Sequence, residues 1–187
     1  MTLSHLATFG TGLTRPECVW IARDGIWASD NSEGGVIHVS SGRKLGRGIR
    51  EPNGFSRRAD GRFVVAGLAD HRVYEIAPDG TTRVLLSEVN GKPLGVANYA
   101  CVDGDRVWVS TMTVRAAWHD AFNAGPEGSI VLLDRDGARV VAEGLHLTNE
   151  VKVSPDGRWL YAVETLARRI VRFPLAADGT LGARETV

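Results

Sequence analysis

The chain has 187 residues, of which 43% are hydrophobic and 24% charged, an ordinary balance for a globular domain with room for a stable core. Its 22 basic and 22 acidic residues cancel, so no overall field selects nucleic acid or an anionic membrane surface. No apolar run is long enough to span a bilayer, and the start Met1–Gly10 lacks a basic segment followed by an apolar one; the expected location is cytoplasmic.

Turn signals then punctuate the chain. Asp-Gly occurs at 24–25, 60–61, 79–80, 103–104, 136–137, 156–157 and 178–179, between short runs rich in Val, Ile, Trp, Tyr and Phe. Such flanks predict β-hairpins, because Gly supplies the φ > 0 that a tight turn needs. Four segments share a template of turn, apolar strand, connection and second strand. Strands are predicted over 24–30 and 35–39, 60–66 and 71–76, 105–111 and 128–133, and 156–163 and 168–173. The turns that open the four units, at 24, 60, 103 and 156, recur at the period of propeller blades rather than helical solenoids. The predicted fold is therefore all-β, a propeller, with a β-sandwich as the alternative. The third unit carries an excess, Thr113–Glu127, expected as a long loop over one face, either in contact with substrate or a solvated excursion; Val114–Ala121 within it could hold a turn or two of helix.

Other motifs yield little. Cys18 and Cys101 form neither a disulfide framework nor a zinc pair and read as small buried hydrophobes. Asp30-Asn31-Ser32-Glu33-Gly34 lacks the acidic twelfth position of a calcium loop and reads as a hairpin turn. Arg43, Lys44, Arg47 and Arg50 read as a solvated face. Nucleophile-elbow, zincin, Walker and dinucleotide motifs are absent, and His119-Asp120 alone is no triad.

Three stretches resemble the SMP-30/gluconolactonase/LRE-like family of six-bladed propellers: Pro16-Glu17-Cys18-Val19-Trp20; Gly95-Val96-Ala97-Asn98 with Val109-Ser110-Thr111-Met112; and Leu147-Thr148-Asn149-Glu150 with Ser154-Pro155-Asp156-Gly157. Arg169-Ile170-Val171-Arg172-Phe173 resembles a blade-closing strand of that family. The resemblance covers the whole chain and implies one incomplete propeller domain, 1–187, with about four blades of six. It also implies a metal-dependent hydrolase acting on sugar lactones or related carboxylic esters. Glu17 and Asn149 would be metal ligands and Asn98 would meet substrate or metal-bound water. The implied cofactor is a divalent metal ion, Ca²⁺ first, with Zn²⁺ or Mg²⁺ as alternatives; oxygen donors of this kind suit a hard cation. The implied partner is a small-molecule lactone, with neither nucleic acid nor membrane.

Two departures accompany the resemblance. The family's general-base Asp, in a later Pro-Asp-Gly segment, has no counterpart before Val187, so the catalytic residue is unknown and this chain alone is expected to be impaired. Glu150 stands where the family has Gly, and would either alter a backbone that Gly lets adopt φ > 0 or lend the site a carboxylate. Four blades of six would leave open faces and an unpaired edge, so self-association, an open arc or membership of a longer product is expected. A non-catalytic binding propeller and a strictosidine-synthase-like propeller remain the alternatives.

Overall fold

A computed structural model describes residue 7 and residues 9–187; most of the start on which the lack of a signal segment is read lies outside the described residues. The chain forms four successive four-stranded antiparallel sheets, each a simple meander. The first blade comprises β1 (Val19–Ala22), β2 (Gly25–Asp30), β3 (Gly35–His38) and β4 (Lys44–Leu45). The second comprises β5 (Pro52–Arg57), β6 (Phe63–Gly67), β7 (Arg72–Ile76) and β8 (Thr82–Leu86). A small ribbon, β9 (Glu88–Val89) with β10 (Lys92–Pro93), leads into the third blade of β11 (Ala97–Asp103), β12 (Arg106–Thr111), β13 (Gly128–Asp134) and β14 (Gly137–Leu145). The fourth holds β15 (Thr148–Val153), β16 (Trp159–Glu164), β17 (Arg169–Pro174) and β18 (Glu185–Thr186). The predicted strand pairs are the two middle strands of each blade.

In a meander the turn after the first strand and the turn after the third lie at the same end of the sheet. All seven Asp-Gly turns occupy those two places, so they line one end of the array, and each of their glycines has φ > 0. The turn aspartates add Asx bonds: Asp79 accepts from Thr81 N at 2.9 Å and Asp178 from Thr180 N at 2.8 Å. The opposite end receives the entry to every blade and the turns between second and third strands.

Blades pack face to face through their alternating side chains. Trp27, Phe55 and Phe63 fill the first interface, with Trp27 and Phe63 ring centroids 5.0 Å apart. Val64, Ala66 and Val73 meet Ala97, Ala100, Val107 and Val109 in the second. Trp108, Ile130 and Leu132 of the third blade share a buried cluster with Leu160 of the fourth. At the axis, Lys152 of β15 lies 5.4 Å from both the Trp20 ring of β1 and the Tyr99 ring of β11, so one ammonium touches three blades. The outer faces of the first and last blades stay open: Val19, Ile21 and Ile170 are exposed.

Both cysteines are free and buried, and burial pushes both thiols up. Residues 31–34 make the β2–β3 turn. The basic connection is ion-paired at the surface, with Lys44 3.6 Å and Arg47 3.4 Å from Glu33. In the long loop the helical turn is 3₁₀ and lies later than expected, at Trp118–Asn123. Buried Ala121 fixes that register by docking with Trp118 against Leu68, Val96, Met112 and Leu147. No helix among the described residues is long and apolar enough to cross a membrane.

Candidate functional site

The register of the inner strands places the candidate residues at one level. Val19 pairs with Ala28, Phe55 with Val65, Ala100 with Val109 and Val151 with Ala162. Two residues earlier in each blade stand Glu17, Asn53, Asn98 and Asn149. Residues far apart in the chain thereby form one ring at the entry end of the array. In the last three blades the register shifts at this point, between Pro52 and Phe55, Ala97 and Tyr99, and Thr148 and Val151. A bulge inserts an unpaired residue and re-aims its side chain, and each of these bulges carries the asparagine.

Hydrogen bonds run along the ring. The Arg15 guanidinium donates to Asn53 Oδ1 at 3.1 Å, and Asn53 Nδ2 donates to the Asn98 main-chain oxygen at 2.9 Å. The N–H of Tyr99 donates to Ser110 Oγ at 3.1 Å, and that hydroxyl donates in turn to the Asn149 carbonyl. Ser29 holds the corresponding place in the first blade, accepting from both Glu17 N and Cys18 N at 3.0 Å.

What the ring offers a ligand is oxygen. Asn98 is 6% exposed; its Nδ2 points at Met112 Sδ, 3.1 Å away, and its Oδ1 finds no hydrogen-bond partner among the described residues. A buried amide oxygen left in this state costs stability unless something else satisfies it. Asn149 donates through Nδ2 to Thr165 Oγ1 at 3.1 Å, which engages the nitrogen and not the oxygen of its amide. Glu17 is half exposed, 3.9 Å from Arg15. One carboxylate with amide oxygens is the donor chemistry of a hard divalent cation. It fits such an ion in kind and supplies a single negative charge. Among the described residues no three His, Cys, Asp or Glu side chains cluster as a metal-holding group.

Sequence reasoning missed Asn53 and Arg15. Asn53 was detectable: it lies 45 residues before Asn98, close to the blade period, in a Pro-Asn-Gly stretch laid out like Thr148-Asn149-Glu150. Arg15 gave no such signal, because its role depends on the fold that brings Asn53 beside it. Of the two alternatives for Glu150, an altered backbone is ruled out, while a carboxylate lent to the site is untouched by this. Neither Glu150 nor Gly54, its counterpart in the second blade, adopts φ > 0. The small residue at 54 answers a close approach instead, since a Cβ there would overlap the Tyr99 ring and stand 2.8 Å from the Asn98 carbonyl oxygen. Glu150 is exposed, and its carboxylate lies close enough to Cys18 of the first blade to act on that thiol.

Positive φ occurs just before the ring. Arg15, Glu51 and Leu147 each have φ of 52°, and the third blade makes its turn at Gly95 with φ of 82°. A non-glycine residue in this region costs ~1–3 kcal/mol and persists only where its surroundings impose it. The long loop borders the same end of the array: Thr113 and Arg115 both bind Glu127, at 2.6 and 2.8 Å, and close its base.

Comparison with known proteins agrees with this architecture. A gluconolactonase from Xanthomonas campestris has a TM-score of 0.75 at 23% identity, over 93% of this chain and 62% of that one. Regucalcin from Agrobacterium tumefaciens, a calcium-binding protein, has a TM-score of 0.68 at 22% identity, over 94% and 60%. Virginiamycin B lyase from Staphylococcus aureus has a TM-score of 0.67 at 16% identity, over 95% and 57%. These likenesses show a shared propeller fold, and this chain spans less than two thirds of each of those structures. The model of the SMP-30/gluconolactonase/LRE-like region matches residues 16–187, and the chain belongs to that family.

Proposed function

We propose that this chain carries the divalent-cation and substrate-binding part of a gluconolactonase-like hydrolase, acting on sugar lactones or related esters. Glu17 and Asn149 would hold the ion, Ca²⁺ first, and Asn98 would meet the substrate or a water on the ion. The single observation that carries the reading is the buried Oδ1 of Asn98, which has no hydrogen-bond partner among the described residues and stands level with the Glu17 carboxylate and the Asn149 amide.

When bound, the cation supplies polarisation of a lactone carbonyl. The chain's own residues then bind and orient. Asn53 and Arg15 brace the main chain of Asn98, and Met112 holds its amide nitrogen, which turns the oxygen outward. The apolar cluster of Val96, Met112, Ala121, Leu147 and Trp118 limits water beside the site. Arg15 beside Glu17 offsets part of that carboxylate's charge, which favours modest cation affinity. No second carboxylate is assigned as general base, so turnover by this chain alone is expected to be weak beside binding. Self-association through the open faces that bear Val19, Ile21 and Ile170 belongs to the same proposal.

The test is gluconolactone hydrolysis with and without Ca²⁺, Zn²⁺ or Mg²⁺, alongside calorimetric titration of each ion. Cation-dependent hydrolysis, lost in Glu17→Gln with Asn149→Ala, supports the reading. Cation binding without hydrolysis would favour the binding-module alternative.

A further inference from the structure

Each ring position is preceded by a sharp turn, and three of the four turns are held in the same way. The N–H of Thr14, just before left-handed Arg15, donates to Asp30 Oδ1 at 3.0 Å. The N–H of Arg50, just before left-handed Glu51, donates to Asp70 Oδ2 at 3.3 Å. The N–H of His146, just before left-handed Leu147, donates to Glu164 Oε1 at 2.9 Å. Asp30 and Glu164 end the second strands of their blades; Asp70 comes from the following turn and fills the place that a side chain at Gly67 would take. The third blade has glycine at its turn, Gly95, and Thr111 rather than a carboxylate at the strand end; main-chain bonding of Val96 N to Thr113 O at 2.9 Å suffices there. The carboxylate accompanies the strained residue and is missing where glycine removes the strain.

We propose that Asp30, Asp70 and Glu164 are positioning residues, each imposing the left-handed turn that aims Glu17, Asn53 or Asn149 into the ring. Each carboxylate is buried or braced. Asp30 and Glu164 are 2% and 0% exposed. Lys44 and Ser32 attend Asp30, Tyr74 OH donates to Asp70 at 2.6 Å, and Arg169 donates to Glu164 at 2.6 Å. An ionised acceptor forms a stronger, better-directed bond than a neutral one, which suits the task of offsetting an unfavourable φ. The inference rests on the functional reading only for what the ring residues bind; the aiming itself is independent of it.

The test isolates the turn from the ion. Glu164→Met removes the acceptor at similar volume, whereas Glu164→Gln keeps an acceptor oxygen. The side-chain amide resonances of Asn149, recorded on the full chain without metal, should shift or broaden in Glu164→Met and stay near wild type in Glu164→Gln. Adding Leu147→Gly, or Leu147→Asn to retain bulk, to Glu164→Met should restore them, because those residues tolerate the turn unaided. Calcium titration of the same variants should show affinity about tenfold weaker in Glu164→Met, recovering with the second substitution. Should the leucine variants unfold, Asp70→Ala with and without Glu51→Gly, read at the Asn53 amide, asks the same question. An Asn149 amide untouched by Glu164→Met, or losses that simply add in the double variant, would overturn the proposal. Amide changes with rescue in a protein that binds no Ca²⁺ would uphold it while refuting the metal reading.

Discussion

Asn53 Nδ2 donates to the main-chain oxygen of Asn98 at 2.9 Å, across the interface between the second and third blades. This bond ties two bulges together and, through Arg15 on Asn53 Oδ1, joins the first blade to the same line. Asn53→Ala would strand the Asn98 carbonyl in a buried setting and take an acceptor from the half-buried Arg15 guanidinium. We expect a loss of about 1–3 kcal/mol in urea unfolding, together with weaker ligand binding at Asn98. A variant as stable as wild type would show that the bond does not organise the ring.

Gly54 is expected to resist any side chain. Gly54→Ala would press a methyl into Tyr99 and the Asn98 carbonyl, for a cost of about 1–3 kcal/mol in thermal or urea unfolding. Glu150→Gly, at the matching position of the open fourth blade, should change stability little. Similar effects of the two substitutions would contradict the packing described.

Glu164 sets an acid limit. Burial pushes its carboxyl up, but Arg169, the His146 N–H and Arg184 together outweigh that and hold it below its ordinary value. A depressed carboxylate stabilises the fold fully above its unfolded-state pKa, and that contribution is lost as pH falls through the folded-state value. Stability should therefore decline below about pH 4.3, the ordinary glutamate value, and more steeply in wild type than in Glu164→Gln. Parallel pH–stability curves for the two proteins would refute this.

Val19 and Ile21 on the first blade and Ile170 on the last are 56%, 79% and 47% exposed. Light scattering coupled to size exclusion should show species larger than the 20.2 kDa monomer, shifting to monomer in Ile21→Lys with Ile170→Lys. A monomer at every concentration would count against association through these faces.

The blades were legible because Asp-Gly turns and β-branched runs act locally: Phe63–Gly67 and Arg72–Ile76 follow from their own residues and the turns beside them. Glu17, Asn98 and Asn149 could be nominated only through family resemblance. Their common level depends on strand register, which the sequence patterns but does not number. Arg15 and Glu164 were illegible for a further reason. The first acts through a side chain of another blade, and the second through the N–H of His146, and neither contact leaves a trace in residue type. At Glu150 the sequence left two alternatives open, because the reason for a small residue at the matching Gly54, crowding from Tyr99 rather than backbone conformation, is a contact between blades.

On the proposed function, Glu17, Asn98 and Asn149 form one cation-dependent site. Isothermal titration of Ca²⁺ into wild type, Glu17→Gln, Asn98→Ala and Asn149→Ala, with gluconolactone hydrolysis followed on the same samples, tests it most directly. The expected result is saturable 1:1 binding in wild type, weakened about tenfold or more by each ligand substitution, with any hydrolysis falling in step. Calcium binding and hydrolysis unchanged in all three variants would contradict the account.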